Sequence, residues 1–138
     1  MAVQEAQGIT ANPKSARSLQ VPSPTATAHK IGDIILDKKA SDLVVVDVES
    51  VTTLSDFIII ATGTNSRQLQ AIAIDVVAEM KKDGHSHIHV EGMEQGWWIL
   101  IDCGDVIVHV MQEEARRYYD LERLWSDGKV IRRVAGVA

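Results

Sequence analysis

Residues 97–111, WWILIDCGDVIVHVM, constrain the fold more tightly than any other stretch of the chain. Trp97 to Cys103 and Val106 to Met111 are runs rich in β-branched and aromatic residues around Gly104-Asp105, a pattern that specifies a β-hairpin. With two loop residues, Cys103 lies opposite Val106 and Leu100 opposite His109. Side chains in a strand alternate between its faces. One face then collects Trp97, Ile99, Ile101 and Cys103 beside Val106, Val108 and Val110, with nothing strongly polar on it. This is a core face. The other carries Trp98, Leu100 and Asp102 beside Ile107, His109 and Met111. A large aromatic next to a carboxylate and an imidazole suits a margin, an interface or a site. A register slip of one residue would change the cross-strand partners but leave each strand's own alternation intact.

The hairpin runs into QEEARRYYDLERLW, which predicts a helix from about Gln112 to Leu121. Glu113 and Glu114 favour the positive end of its dipole. Arg116 and Arg117 stand three or four residues from Asp120 and Glu113, so these charges can pair along the helix. Tyr118 is expected to pack inward. Tyr118-Tyr119 followed by Leu121, Leu124 and Trp125 supplies more apolar surface than one side of a helix can bury. Part of it is expected to meet a partner or the exposed edge of the hairpin.

Upstream, order is expected to begin near Thr27 with a helix carried by Ile31, Ile34, Ile35 and Lys38 and ending around Asp37-Lys38-Lys39. Leu43 to Val48 reads as a strand, and Phe57 to Ala61 (FIIIA) as an interior strand covered on both sides. Asn65 or Ser66 can cap a second helix whose stripe is Leu69, Ile72, Ala73, Val76 and Met80, with Gly84 as its stop. His87 to Glu91 is a short strand. The order α-β-β-α-β-β-β-α predicts one α/β domain over residues 28–126, with helices packed on a mixed five-stranded sheet. Residues 127–138 are expected to be a flexible tail. Residues 1–27 hold all three prolines of the chain, Pro13, Pro22 and Pro24, among small and polar residues, and read as a disordered leader. The leader is poor in acid and carries Lys14 and Arg17, a faint likeness to a transit peptide; a plain flexible tail and a cytoplasmic protein are the favoured reading.

Composition narrows the function classes. A net charge of −5 and a pI near 5.4 argue against gripping nucleic acid by general electrostatics, which requires a basic stripe. The single cysteine rules out an internal disulfide and fits a reducing compartment. No apolar run approaches the roughly 18 residues of a membrane span.

Four constellations are candidates for chemistry. His85, His87 and His89 would share one strand face, a spacing known for metal ligands, but no other ligand stands near them except Glu91, and a polar turn is the plainer reading. Cys103, His109 and Asp102 or Asp105 suggest a nucleophilic triad. The hairpin register defeats it, because thiol and imidazole point to opposite faces and cannot come within the roughly 2.6–3.2 Å that transfer needs; Cys103 is better read as a small core residue. Gly63-Thr64-Asn65-Ser66 before a helix could cradle a phosphate, with Asp102 and Asp105 holding a metal for nucleotidyl transfer. Ordinary turn and cap chemistry explains the same residues. Asp102 and His109 are diagonal neighbours, and a carboxylate there would raise the imidazole's pKa and set its tautomer, either for function or as a structural bond at the sheet edge.

The residues Ser55-Asp56-Phe57-Ile58-Ile59-Ile60-Ala61-Thr62-Gly63-Thr64, Ser66-Arg67-Gln68, Val90-Glu91-Gly92, Trp98-Ile99-Leu100-Ile101-Asp102 and Gly104-Asp105-Val106-Ile107-Val108-His109-Val110-Met111, running into Glu113-Glu114-Ala115-Arg116-Arg117-Tyr118-Tyr119-Asp120-Leu121-Glu122-Arg123-Leu124-Trp125, together resemble the ribosomal silencing factor family, also called iojap or RsfS. The resemblance is colinear from about residue 28 to 126. It implies a translation repressor rather than an enzyme, with no cofactor and no bound metal. Such a protein binds the large ribosomal subunit through its L-fourteen protein and blocks joining of the small subunit when nutrients are short. It also implies a nucleotidyltransferase-like fold and a homodimer when free. Trp98 matches the family tryptophan near the ribosomal contact, and Asp102, Asp105 and His109 match the motif beside it. With Leu100 and Met111 flanking Trp98, these six form the expected partner surface. Trp97, the histidine run and the leader depart from the family pattern. The alternative is a nucleotide-binding or nucleotidyltransferase-type enzyme using the Gly63-Thr64 turn with Asp102 and Asp105.

Overall fold

The computed structural model describes residues 22–137. The first helix, α1, spans Pro24–Asp37. Ser23 caps it by accepting a hydrogen bond from the Ala26 N–H at 3.1 Å. Pro24 opens it, at the position where a missing N–H has no consequence. The helix therefore starts before Thr27, because Ser-Pro is a start signal as well as a loop signal. The leader up to residue 21 lies outside the described residues.

Strands β1 (Ser41–Asp47) and β2 (Phe57–Gly63) follow, then helix α2 (Ser66–Lys82), and strands β3 (His89–Glu91), β4 (Trp98–Asp102) and β5 (Val106–Gln112). Two short helices, α3 (Glu113–Tyr119) and α4 (Leu121–Leu124), lead to β6 (Lys129–Val137). Asn65 caps α2, its side chain accepting from the Gln68 N–H at 2.8 Å, and the buried residues of that helix are the predicted Leu69, Ile72, Ala73, Val76 and Met80. The helix expected over 112–121 is instead broken at Asp120, whose φ of 49° places it in the left-handed region.

The α/β class and the mixed sheet are as expected, but the sheet has six strands rather than five, in the order β3-β4-β5-β2-β1-β6. β2 and β5 are parallel and every other pairing is antiparallel. The sixth strand lies in the stretch expected to be a flexible tail. Residues 129–137 hide their strand character because their pairing with β1 slips between Val45 and Val46, so strict alternation is lost. Arg132 also looks out of place in a strand, yet it donates to the Asp33 carboxylate at 2.7 Å and the His29 carbonyl at 3.1 Å.

The two faces of the sheet are covered differently. On one, α1 and α2 bury Leu43, Val45, Phe57, Ile59, Ala61, Ile99, Ile101, Val106, Val108 and Val110. Lys30 ties the helices together through Asp83 and Glu79, at 2.8 and 3.3 Å. On the other, Val44, Val46, Ile58, Ile60 and Met111 pack with Ala115, while Trp98, Ile107, Leu121 and Trp125 close over them only in part. Among the described residues, no helix is long and apolar enough to cross a membrane.

Candidate docking face

The predicted hairpin register holds. Trp98 pairs with Met111, Leu100 with His109 and Asp102 with Ile107, and the Cys103 N–H donates to the Val106 carbonyl. This places Trp98 on the second face of the sheet, half-buried. Its indole N–H donates to His109 Nδ1 at 3.0 Å. The Tyr119 ring lies against it with centroids 4.6 Å apart. Tyr119 reaches this place because it stands one helical turn beyond Ala115, the buried residue of α3. Nothing in the hairpin pattern identified Tyr119; its signal was the surplus aromatic surface of the Tyr118-Tyr119 pair.

The bond between Trp98 and His109 decides the state of the imidazole. Nδ1 accepts, so the ring's proton is on Nε2 and the ring is neutral. His109 is 7% exposed, and burial pushes its pKa from its ordinary 6.5 down to about 4. The expected pairing with Asp102 is thus corrected on both counts: the pKa is lowered, and the partner is an indole. Asp102 instead accepts the Gly104 N–H at 2.8 Å, closing the hairpin turn. Asp105 offers its backbone carbonyl to the N–H groups of Asp56 and Phe57, at 2.9 and 3.0 Å.

The six residues expected at a partner surface therefore separate by depth. Trp98 and Leu100 are half-buried on the open face, and Asp102 and Asp105 are half-buried at the hairpin's far end. Met111 is fully buried and cannot touch a partner; β2 and α3 cover it. His109 is nearly as deep and acts as the support behind Trp98. Trp97, expected on the core face, is 38% exposed, with its ring edge-on to Tyr119 at 6.0 Å. It precedes the first residue of β4, so the strand's alternation does not bind it. Tyr118, expected inward, is 78% exposed. α3 is a single short helix that buries only Ala115, and Tyr118 falls on its outward side. Trp97, Tyr119 and Tyr118 thus form a chain of exposed aromatic rings leading outward from Trp98, and Leu124 on α4 is 67% exposed.

The catalytic arrangements do not assemble. Cys103 is buried on the helix-covered face, where burial first and the Asp102 charge second push its thiol up to about 12. The turn before α2 is already filled. Gln68 Oε1 accepts from both the N–H and the hydroxyl of Thr64, at 2.7 and 3.1 Å, and Ser66 donates to the Gln95 carbonyl. A phosphate would find these donors taken. Of the histidine run, only His89 lies in β3, where its Nε2 meets Glu91 Oε2 at 2.6 Å. His85 and His87 fall in the preceding turn, so the three do not share a strand face. Among the described residues no group of three or more metal-ligating side chains converges.

Comparison with known proteins gives a consistent result. The family profile described as "Ribosomal silencing factor during starvation" matches residues 21–137. A protein of Haemophilus influenzae named ribosomal silencing factor RsfS is 43% identical over 88 residues, covering 64% of this chain and 86% of that one. Its namesake in Bacillus subtilis is 37% identical over 91 residues, covering 66% and 77%. A crystal structure of a Chromobacterium violaceum protein superposes with a TM-score of 0.72 at 36% identity, over 83% of this chain and 94% of the other.

Proposed function

Because this chain belongs to the ribosomal silencing factor family, we propose that it represses translation by docking on the large ribosomal subunit through its L-fourteen protein and obstructing the small subunit. The observation that carries this reading is the second face of the sheet. An aromatic side chain, Trp98, is held there in one orientation by His109 and Tyr119 and flanked by exposed aromatic rings. A surface that leaves such a residue half-open is suited to recognition, since tryptophan is prominent among residues that dominate interface affinity. Rigid placement also lowers the entropy lost on binding.

The mechanism is steric. A 15.1 kDa domain on the joining face of one subunit has to occupy space and stabilise no transition state. The chain's net charge of −5 favours encounter with a basic ribosomal protein and disfavours indiscriminate attachment to RNA. The contact set proposed is Trp98 and Leu100 with Tyr119 beside them and Asp102 and Asp105 at the turn end; His109 and Met111, buried beneath, support it without touching the partner. The free protein is a homodimer and acts in the cytoplasm in this reading, during nutrient limitation.

The test is co-sedimentation with separated ribosomal subunits. The unaltered protein is expected to travel with the large subunit and suppress reassociation. Trp98→Glu should keep its fold but lose large-subunit binding by at least about a hundredfold, the range of an interface hot spot. Normal co-sedimentation of Trp98→Glu would sink the assignment of the site.

A further inference from the structure

Helix α3 sets the position of Tyr119, yet it has little to hold it in place. It is seven residues long, buries only Ala115 and lacks a side-chain hydrogen bond at its N-cap, Gln112. Isolated helices of this length do not persist in water. What anchors it is Arg116, whose side chain is 12% exposed. Its Nη1 donates to the Asp42 carbonyl at 2.6 Å and to Thr62 Oγ1 at 2.8 Å, and its Nε to Glu122 Oε1 at 3.1 Å. One guanidinium thus binds the start of β1, the end of β2 and α4. The planar fork of arginine, with five donors in fixed directions, is suited to acceptors spread over three elements.

The acceptor in β1 is arranged for this contact. Asp42 has a φ of 50° at the point where the pairing of β1 with β2 shifts between Ser41 and Val44. An irregularity of this kind re-aims the backbone. Its carbonyl meets Arg116, while its carboxylate accepts the Gly136 N–H of β6 at 2.9 Å. The C-terminal strand, β1, β2 and α3 are therefore fastened at one place.

We infer that Arg116 is a positioning residue for the docking face: by pinning α3 to the ends of β1 and β2, it holds Tyr119 against Trp98 and so presents the tryptophan in its binding orientation. This rests on the docking reading of Trp98 given above. It assigns to Arg116 an effect on binding without any contact with the partner.

The full-length Arg116→Ala protein tests it, through large-subunit binding and through NMR cross-peaks between the Tyr119 ring and the Trp98 indole. Binding is expected to weaken about tenfold or more, a change of about 1.4 kcal/mol. The ring-to-ring cross-peaks should disappear while those within the helix-covered core persist. Arg116→Lys, which keeps the charge but not the fork, should recover part of both. Unchanged binding by Arg116→Ala, in an assay where Trp98→Glu fails to bind, overturns the inference and leaves the docking site standing. Persistent Tyr119–Trp98 cross-peaks overturn it too. If Trp98→Glu binds normally, the docking site itself falls, and the cross-peaks alone decide whether Arg116 positions Tyr119. Should Arg116→Ala fail to fold, Thr62→Val removes one acceptor and is read the same way, with binding expected to fall up to about fivefold, the worth of one hydrogen bond; no change in binding or cross-peaks in that variant overturns the inference.

Discussion

The two faces of the sheet are built from alternate residues of the same strands, yet they have different tasks. In β4, Ile99 and Ile101 are completely buried beneath the helices, while Trp98 and Leu100, their immediate neighbours, remain half-open. In β5, Val108 and His109 are adjacent and both buried, but one packs against aliphatic side chains and the other supports an indole. The difference lies in what covers them. Two helices of 14 and 17 residues close the first face; helices of 7 and 4 residues only partly close the second. One face supplies stability. The other trades some of that burial for an apolar surface that a partner can cover.

That contrast can be broken experimentally, and the largest effect is expected on the covered face. Ile99→Ala should lower unfolding free energy by about 3–4 kcal/mol in urea denaturation, the range for a buried aliphatic truncated to a cavity. The same measurement on Leu100→Ala should show a smaller loss, about 1–2 kcal/mol, because that side chain is only partly removed from water. Equal losses would show that the second face is as much core as the first.

The next effect comes from His109. The folded chain keeps it neutral down to about pH 4, whereas the unfolded chain protonates it near 6.5. Between those values the unfolded state binds more protons, so stability falls as pH drops through this window and is fully present above it. The contribution amounts to up to about 3 kcal/mol. His109→Gln retains an acceptor for the Trp98 indole and has no proton to gain. It should flatten the pH dependence of the thermal midpoint between pH 4 and 6.5; an unflattened curve would place the titrating group elsewhere.

A smaller effect is expected at the margin of the covered face. Asn65→Ala removes the cap of α2 and should cost about 1 kcal/mol. Large-subunit binding should be unchanged, since the hydrogen bonds of the Asn65 side chain stay within its own turn, with the Gln68 N–H and the Thr64 hydroxyl. A binding loss from Asn65→Ala would show that the two faces are not separable.

Much of this organisation was legible in the residues themselves. The hairpin register follows from the Gly104-Asp105 turn and strict alternation, and by itself it removes Cys103 from any nucleophilic role. The stripe of α2 was readable for the same reason: one turn of helix brings Leu69, Ile72, Ala73, Val76 and Met80 to one side. The misreadings share a cause as well. β6 is masked by a slipped register and by Arg132, whose partners lie in α1. Trp97 and Tyr118 sit at element ends, where periodicity no longer dictates direction. His109 was paired with the nearest charge along the hairpin, but its partner proved to be the Trp98 indole on the same face, two positions along from its cross-strand neighbour.

Local pattern alone, then, determined five of the six strands, the long helices, the hairpin's two faces and the family, because alternation, turn chemistry and colinear motifs are properties of neighbours in the chain. The tertiary structure alone decided which of those faces stays open, that Met111 is buried while Trp98 is not, that Asp102 closes a turn, and that Tyr119 and Arg116 belong to the same assembly as Trp98. These follow from contacts between residues far apart in sequence, such as Arg116 with Asp42 and Thr62. Burial and hydrogen-bond partnership depend on what packs above a residue, and no period along the chain encodes that.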